Sequence, residues 1–183
     1  GKSTLLNVIS GLKKPSEGKV KINSKDIYAM RNIDLFRSKK IGILNQESML
    51  IDSLNALENV CFFQILNNKK KTKKEIYNDA KNILEYVLLK EKSKKNISDL
   101  SGGEKRRLEI ARCLINGNDI ILMDEPINNL DDECVELILS ILKKLNTVNN
   151  KTIIISTHDR RINNNIATKK IVIKEKKVYE NQI

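Results

Sequence analysis

Tryptophan is absent from this chain of 183 residues, proline occurs twice, histidine once, and aromatic residues make up only 4%. So few aromatics leave little with which to stack bases. Nucleic acid is therefore not an expected partner, despite a net charge of +11. Lys and Arg are spread along the whole chain, with Asn and Ile, and the charge reads as a solvated surface. The three cysteines, Cys61, Cys113 and Cys134, form no C-x-x-C pair, which argues against a zinc site or a disulfide framework. Free thiols fit a reducing, cytosolic compartment. No apolar run approaches the ~18 residues that a membrane-spanning helix needs. No signal-peptide pattern opens the chain.

What is present is globular in balance, 40% hydrophobic and 31% charged. The length suits one domain, or one domain with an inserted lobe. Gly1-Lys2-Ser3-Thr4 leads into Leu5, Leu6, Val8 and Ile9, a short helical pattern stopped by Gly11. Gly18 to Ile22 and Ile41 to Leu44 read as short strands around a polar turn region. Residues 53–115 have helical spacing, with a charged loop or helix start at 69–74. Ile120 to Met123 is an apolar run of the kind buried on both faces of a parallel sheet. A helix from Asp132 places Val135, Ile138, Ile141, Leu142 and Leu145 on one face, and Thr152 to Ser156 is a second buried strand. Lys170 to Ile173 and Lys177 to Tyr179 form a terminal hairpin. Strands alternating with helices predict an α/β fold with a parallel sheet.

Five places carry chemistry. Gly1-Lys2-Ser3-Thr4 ends a phosphate-binding loop: amides at a helix start face phosphate, Lys2 supplies an ammonium and Ser3 a hydroxyl for Mg²⁺. Asp124 and Glu125 end a buried strand, where ligands of open α/β sheets bind. Asp124 suits Mg²⁺, and Glu125 suits orienting or deprotonating a water. Pro126 disfavours the helical region for Glu125, so an extended conformation is expected there. Ser101 and Glu104 form an S-x-x-E capping box. Gly102 and Gly103 between them cost the helix roughly 1 kcal/mol each, so close approach of a phosphate to the amides is expected. His158 follows the strand 152–156 on the same edge as Asp124, where a neutral imidazole can donate to a phosphate. Gln46 follows the strand 41–44, where its amide can reach Mg²⁺ or water.

In this order these motifs resemble the ATP-binding cassette (ABC) ATPases over nearly the whole chain. The correspondence comprises a Walker A tail at Gly1 to Thr4, a Q-loop at Gln46 and a signature at Leu100 to Glu104. A Walker B segment at Ile120 to Glu125, a D-loop at Asn129-Leu130-Asp131 and an H-loop at His158 complete it. The resemblance implies a P-loop NTPase fold with a RecA-like core over 1–47 and 116–183 and an inserted helical lobe over 48–115. It implies ATP and Mg²⁺ as ligands, with Lys2, Ser3 and Thr4 on phosphates and metal and Asp124 supporting the metal shell. Glu125 is then the general base, His158 a γ-phosphate sensor and Gln46 a link to a partner. Ser101, Gly102, Gly103, Glu104 and Asp131 would serve ATP held by a second cassette, identical or not. Glu104 stands where Gln is commonest, and Ile127-Asn128-Asn129 is bulkier and more polar than usual. The chain begins inside the Walker A motif with Gly1 and reads as a fragment lacking an N-terminal piece, which by itself should bind nucleotide poorly.

Leu54 to Val60, and Gly11-Leu12 with Pro15-Ser16-Glu17-Gly18, look like the macrolide, lipoprotein and bacteriocin exporters. The expected function is thus the ATP-hydrolysing subunit of a transporter, cytoplasmic and held to the inner face of the membrane by a separate permease. The alternative is a soluble, ribosome-associated ABC protein, which Glu125-Pro126, Asn128, Leu130-Asp131 and His158-Asp159-Arg160 resemble. A DNA-repair cassette needs a long coiled-coil insertion, and the 55 residues from Gln46 to Ser101 are too few.

Overall fold

The computed structural model describes residues 1–67, 70–175 and 177–181. The elements in chain order are α1 (Lys2–Ile9), β1 (Lys21–Ile22), β2 (Lys25–Asp26), α2 (Ile33–Lys40), β3 (Ile41–Leu44), α3 (Ala56–Asn67) and α4 (Lys73–Tyr86). They continue with α5 (Gly102–Leu114), β4 (Ile120–Asp124), α6 (Asp132–Thr147), β5 (Thr152–Ser156), α7 (Arg160–Asn165), β6 (Lys170–Lys174) and β7 (Lys177–Asn181). Among the described residues no helix is long and apolar enough to cross a membrane.

A parallel sheet in the order β3-β4-β5 organises the molecule. Side chains alternate across it, as the pleat requires. Leu122 and Ile41 pack on one face with Leu6 of α1. Ile121 and Met123 face the other way, into a core shared with α3, α4, α5 and α6. The apolar stripe expected on α6 is buried throughout, from Val135 to Leu145. The helical residues 56–114 and the sheet therefore share one core. The join is tight at Gly42, where an added Cβ would lie 2.7 Å from the Cys113 carbonyl oxygen at the end of α5.

The expected strand from Gly18 shrinks to β1. Asn23 and Ser24 both take left-handed backbone (φ 48° and 64°), which makes a tight hairpin with β2. The supposed polar turn before β3 contains α2, started by Asn32, whose side chain accepts from the Leu35 amide at 2.9 Å. In α2 only partial burial replaces a clear apolar stripe, so periodicity carried little signal. Within the charged run, Lys73 and Lys74 open α4 behind a Thr72–Glu75 capping box, while Lys69 lies outside the described residues. Helix α7 was also unforeseen; Asp159 caps it. The terminal hairpin β6–β7 forms where expected.

Candidate functional site

Parallel strands deliver their next residues to a common edge. Gln46 follows β3, Glu125 follows β4, and Thr157 and His158 follow β5. Helix α1 begins against this edge with Gly1 as its cap residue, no side-chain cap and no acidic residue in its first turn. The amides of Lys2, Ser3 and Thr4 therefore form an end that favours an anion. A cleft of about 520 Å³ beside them is lined by Ser3, Asn7, Asn45, Gln46, Glu47 and Asp124, among others. The three residues expected around one cation, Ser3, Gln46 and Asp124, thus share one cleft.

Glu125 departs from the extended conformation expected of it: its φ is +46°. Pro126 closes the right-handed region, but two contacts hold the left-handed one. The Glu125 amide still donates to the Ser156 carbonyl at 2.8 Å, continuing the sheet, while the Glu125 carbonyl turns inward to accept from Arg106 at 2.8 Å. The carboxylate is only 10% exposed. Its Oε2 accepts from Thr157 Oγ1 at 3.1 Å, its Oε1 lies 2.8 Å from His158 Nδ1, and Lys2 Nζ stands 4.0 Å from Oε1. With a carboxylate facing Nδ1, the ring proton belongs there.

The start of α5 has the capping box. Ser101 Oγ accepts from the Glu104 amide at 3.2 Å, and Glu104 Oε2 accepts from the Ser101 amide at 2.9 Å. The Ser101 amide, with Lys92 at 3.5 Å, holds the Glu104 carboxyl below the usual carboxylate range. The two glycines have different causes. A Cβ on Gly103 would lie 2.4 Å from Cys134 Sγ, so packing of α5 on α6 already demands glycine there. Gly102 is exposed, with only Leu130 Cδ2 at 3.8 Å, and keeps open backbone. Asp131 caps α6: its Oδ1 accepts from the Cys134 amide at 2.8 Å, which lowers its pKa. Ser101, Gly102, Gly103, Glu104 and Asp131 do not line the cleft that holds Ser3, Gln46 and Asp124.

Three residues of the site escaped the sequence reading. Thr157 is one; a hydroxyl beside His158 carries no distinctive spacing. Arg106 and Glu109 are the others. Both are buried in α5 and paired at 2.8 Å. Their Arg-x-x-Glu spacing is a sequence signal, because such pairs usually lie on exposed helix faces, and here they fall among Leu108, Ile110 and Ala111.

Anion-accepting amides opposite strand-end carboxylates, on a parallel sheet covered by helices on both faces, define the nucleotide-binding class of P-loop proteins. The chain belongs to the ABC transporter family, whose model matches residues 1–128. It is an ATP-binding cassette of the ATPase type. It is 37% identical over 162 residues to the lipoprotein-releasing system ATP-binding protein LolD of Buchnera aphidicola, covering 87% of this chain and 70% of that protein. It is 37% identical over 187 residues to the methionine import ATP-binding protein MetN of Lactobacillus acidophilus, covering 98% of this chain. The chain spans about half (52%) of MetN's length. Among solved structures it resembles a dimeric post-hydrolysis state of the ATP-binding cassette MJ0796 bound to ADP and Pi. The TM-score is 0.87 at 36% identity, over 100% of this chain and 80% of that one. These relatives do not favour the ribosome-associated reading.

Proposed function

We propose that this chain is the ATP-hydrolysing subunit of an exporter of the lipoprotein-release type, acting at a head-to-tail dimer of cassettes beneath a separate permease. Such a subunit is cytoplasmic and held at the inner face of the membrane by that permease. The core 1–47 and 116–183 carries the catalytic residues, and the helical lobe 48–115 carries Ser101, Gly102, Gly103 and Glu104 to the partner's nucleotide. The exposed Gly102 backbone, away from the chain's own cleft, supports action on a second site. Asp131 stands beside that start, at the head of α6. Two identical or different cassettes would then sandwich two ATP molecules.

The observation that carries this reading is the convergence of two carboxylates and a helix start on one strand edge. Lys2, Ser3 and Thr4 bind the phosphates through amides and ammonium. Glu125 takes a proton from the attacking water; Thr157 and His158 orient its carboxylate. His158, on the same strand edge, contacts the γ-phosphate. The donor set of Ser3 hydroxyl, Gln46 amide oxygen and Asp124 carboxylate is all hard oxygen, which fits Mg²⁺. Among the described residues no cluster of three or more His, Cys, Asp or Glu offers the ion another seat. When bound, Mg²⁺ neutralises charge on the phosphate oxygens.

The test is Glu125→Gln in the protein expressed from its whole reading frame and purified in mild detergent. ATP binding should persist, hydrolysis should stop and the dimer should stay closed. Normal turnover in that variant would remove Glu125 from the base role. A multi-span membrane protein copurifying in stoichiometric amount supports the permease; ribosomal proteins in its place overturn that half of the reading.

A further inference from the structure

The geometry points to Arg106 as the positioning residue of the hydrolytic site: its guanidinium sets the backbone that presents Glu125, Asp124 and Gln46. The inference rests on the reading of Glu125 as general base. A guanidinium has five N–H donors in a rigid plane. Here each has an acceptor. Nε donates to the Pro126 carbonyl at 2.8 Å. Nη1 donates to the Asn45 carbonyl at 2.9 Å and to Glu109 Oε2 at 2.8 Å. Nη2 donates to the carbonyls of Asp124 at 3.0 Å and Glu125 at 2.8 Å. Four of the five acceptors are main-chain oxygens of, or next to, the residues that line the cleft or act on water.

Burial of a guanidinium is costly, and an apolar side chain of the same volume often stabilises a core equally well. Arg106 is 8% exposed, yet its fork is spent on two strand ends, not on one neighbour. Glu109 completes the pin: its Oε1 accepts from the Met49 amide at 3.3 Å, three residues beyond Gln46. The contact on the Glu125 carbonyl explains how a non-glycine residue keeps φ at +46°. Without that contact the peptide is free to relax, and the carboxylate leaves the water it must meet. A displacement of about 1 Å in a reacting group lowers rate on the order of 100-fold.

The experiment compares Arg106→Lys with the parent protein in the transporter complex. A lysine keeps the charge beside Glu109 but offers one point of donation and cannot reach four carbonyls at once. The expected result is a kcat roughly 10–100-fold lower. KM and the ATP dissociation constant should stay within about threefold, since the phosphate-binding amides are untouched. Wild-type kcat in Arg106→Lys, or a rise in KM and the ATP dissociation constant as large as the fall in kcat, overturns the proposal. So does a loss of rate that vanishes when activity is divided by the amount of ATP-binding protein, which marks a role in folding alone. Arg106→Gln, which keeps a planar amide donor, is measured in the same way; if neither variant folds, the proposal fails. Glu125→Gln on its own keeps the two readings apart: if it turns over normally, the base assignment fails, whatever Arg106 does.

Discussion

Gly103→Ala separates packing from ligand approach at the start of α5. If the glycine served only a ligand, alanine would stabilise the helix by about 1 kcal/mol through its better propensity. The structure argues the opposite, because the new Cβ would lie 2.4 Å from Cys134 Sγ and 3.1 Å from Cys134 Cβ. Cysteine is short and its Cβ is part of α6, so rotation alone does not clear the site. Overpacking of this kind costs about 1–3 kcal/mol. So close a contact belongs in the upper part of that range, about 2–3 kcal/mol, and set against the propensity gain the net loss should be about 1–2 kcal/mol. With a slope near 2 kcal/mol per molar urea, the unfolding midpoint should fall by roughly 0.5–1 M. In a Cys134→Ala background the sulfur is gone and only the 3.1 Å approach remains, which a shift of a few tenths of an ångström relieves. There Gly103→Ala should be close to neutral, so the double-mutant cycle should give a coupling of about 1–2 kcal/mol. An equal effect of Gly103→Ala in both backgrounds, within about 0.5 kcal/mol, would refute the packing argument.

Gly42→Ala should be harder to accommodate, since its Cβ would meet main chain, the Cys113 carbonyl oxygen at 2.7 Å. A loss of about 2–3 kcal/mol should appear as a fall in Tm of roughly 5–10 °C; an unchanged Tm would contradict the observed seat of α5 on β3. Glu104 ionises more readily in the folded chain than in the unfolded one, chiefly through the Ser101 amide. Its stabilisation is therefore complete above the unfolded value, about 4.3, and is lost as pH falls through the lower folded value. Glu104→Gln should be less stable than the parent near neutral pH, and the gap should narrow as pH falls below the unfolded value; a gap that stays constant on acidification in urea titrations refutes the assignment.

The stripe on α6 was legible because its burial repeats at helical spacing, and β3, β4 and β5 were legible because each carries a short continuous apolar run of the kind a parallel sheet takes. Helix α2 was not, since none of its residues is buried and its start depends on one Asn32 contact. The candidate site was legible where chemistry demands a residue type: Ser3, Gln46 and Asp124 do line one cleft. It was illegible where tertiary contact chooses the conformation. The Glu125 φ follows from Ser156 and Arg106, neither of them adjacent in sequence. Gly103 looked like a ligand's glycine because Cys134, 31 positions on, could not be placed beside it from spacing alone. Asn59, within the segment Leu54 to Val60, is fully buried, and its amide joins Ile51, Leu54 and Asn55 and holds the loop beyond Gln46.

Helix α5 is held at three places, and this decides how its two ends relate. Gly103 seats its start on α6, Arg106 ties its middle to the ends of β3 and β4, and Cys113 fixes its end against Gly42. Its Cys113 thiol, 3.2 Å from the Ile43 carbonyl, is pushed up to about 12 by burial and acts as an apolar filler, not a reactive group. From Ser101 to Arg106 is about 7.5 Å of helix at the usual rise per residue. A rigid segment that short passes a displacement on nearly undiminished. The Ser101 end is thus joined to the carbonyls of Asp124 and Glu125 by one short helical segment and the Arg106 hydrogen bonds. The Gln46 segment is tied to the same helix through Asn45 and Met49, which the Arg106–Glu109 pair holds.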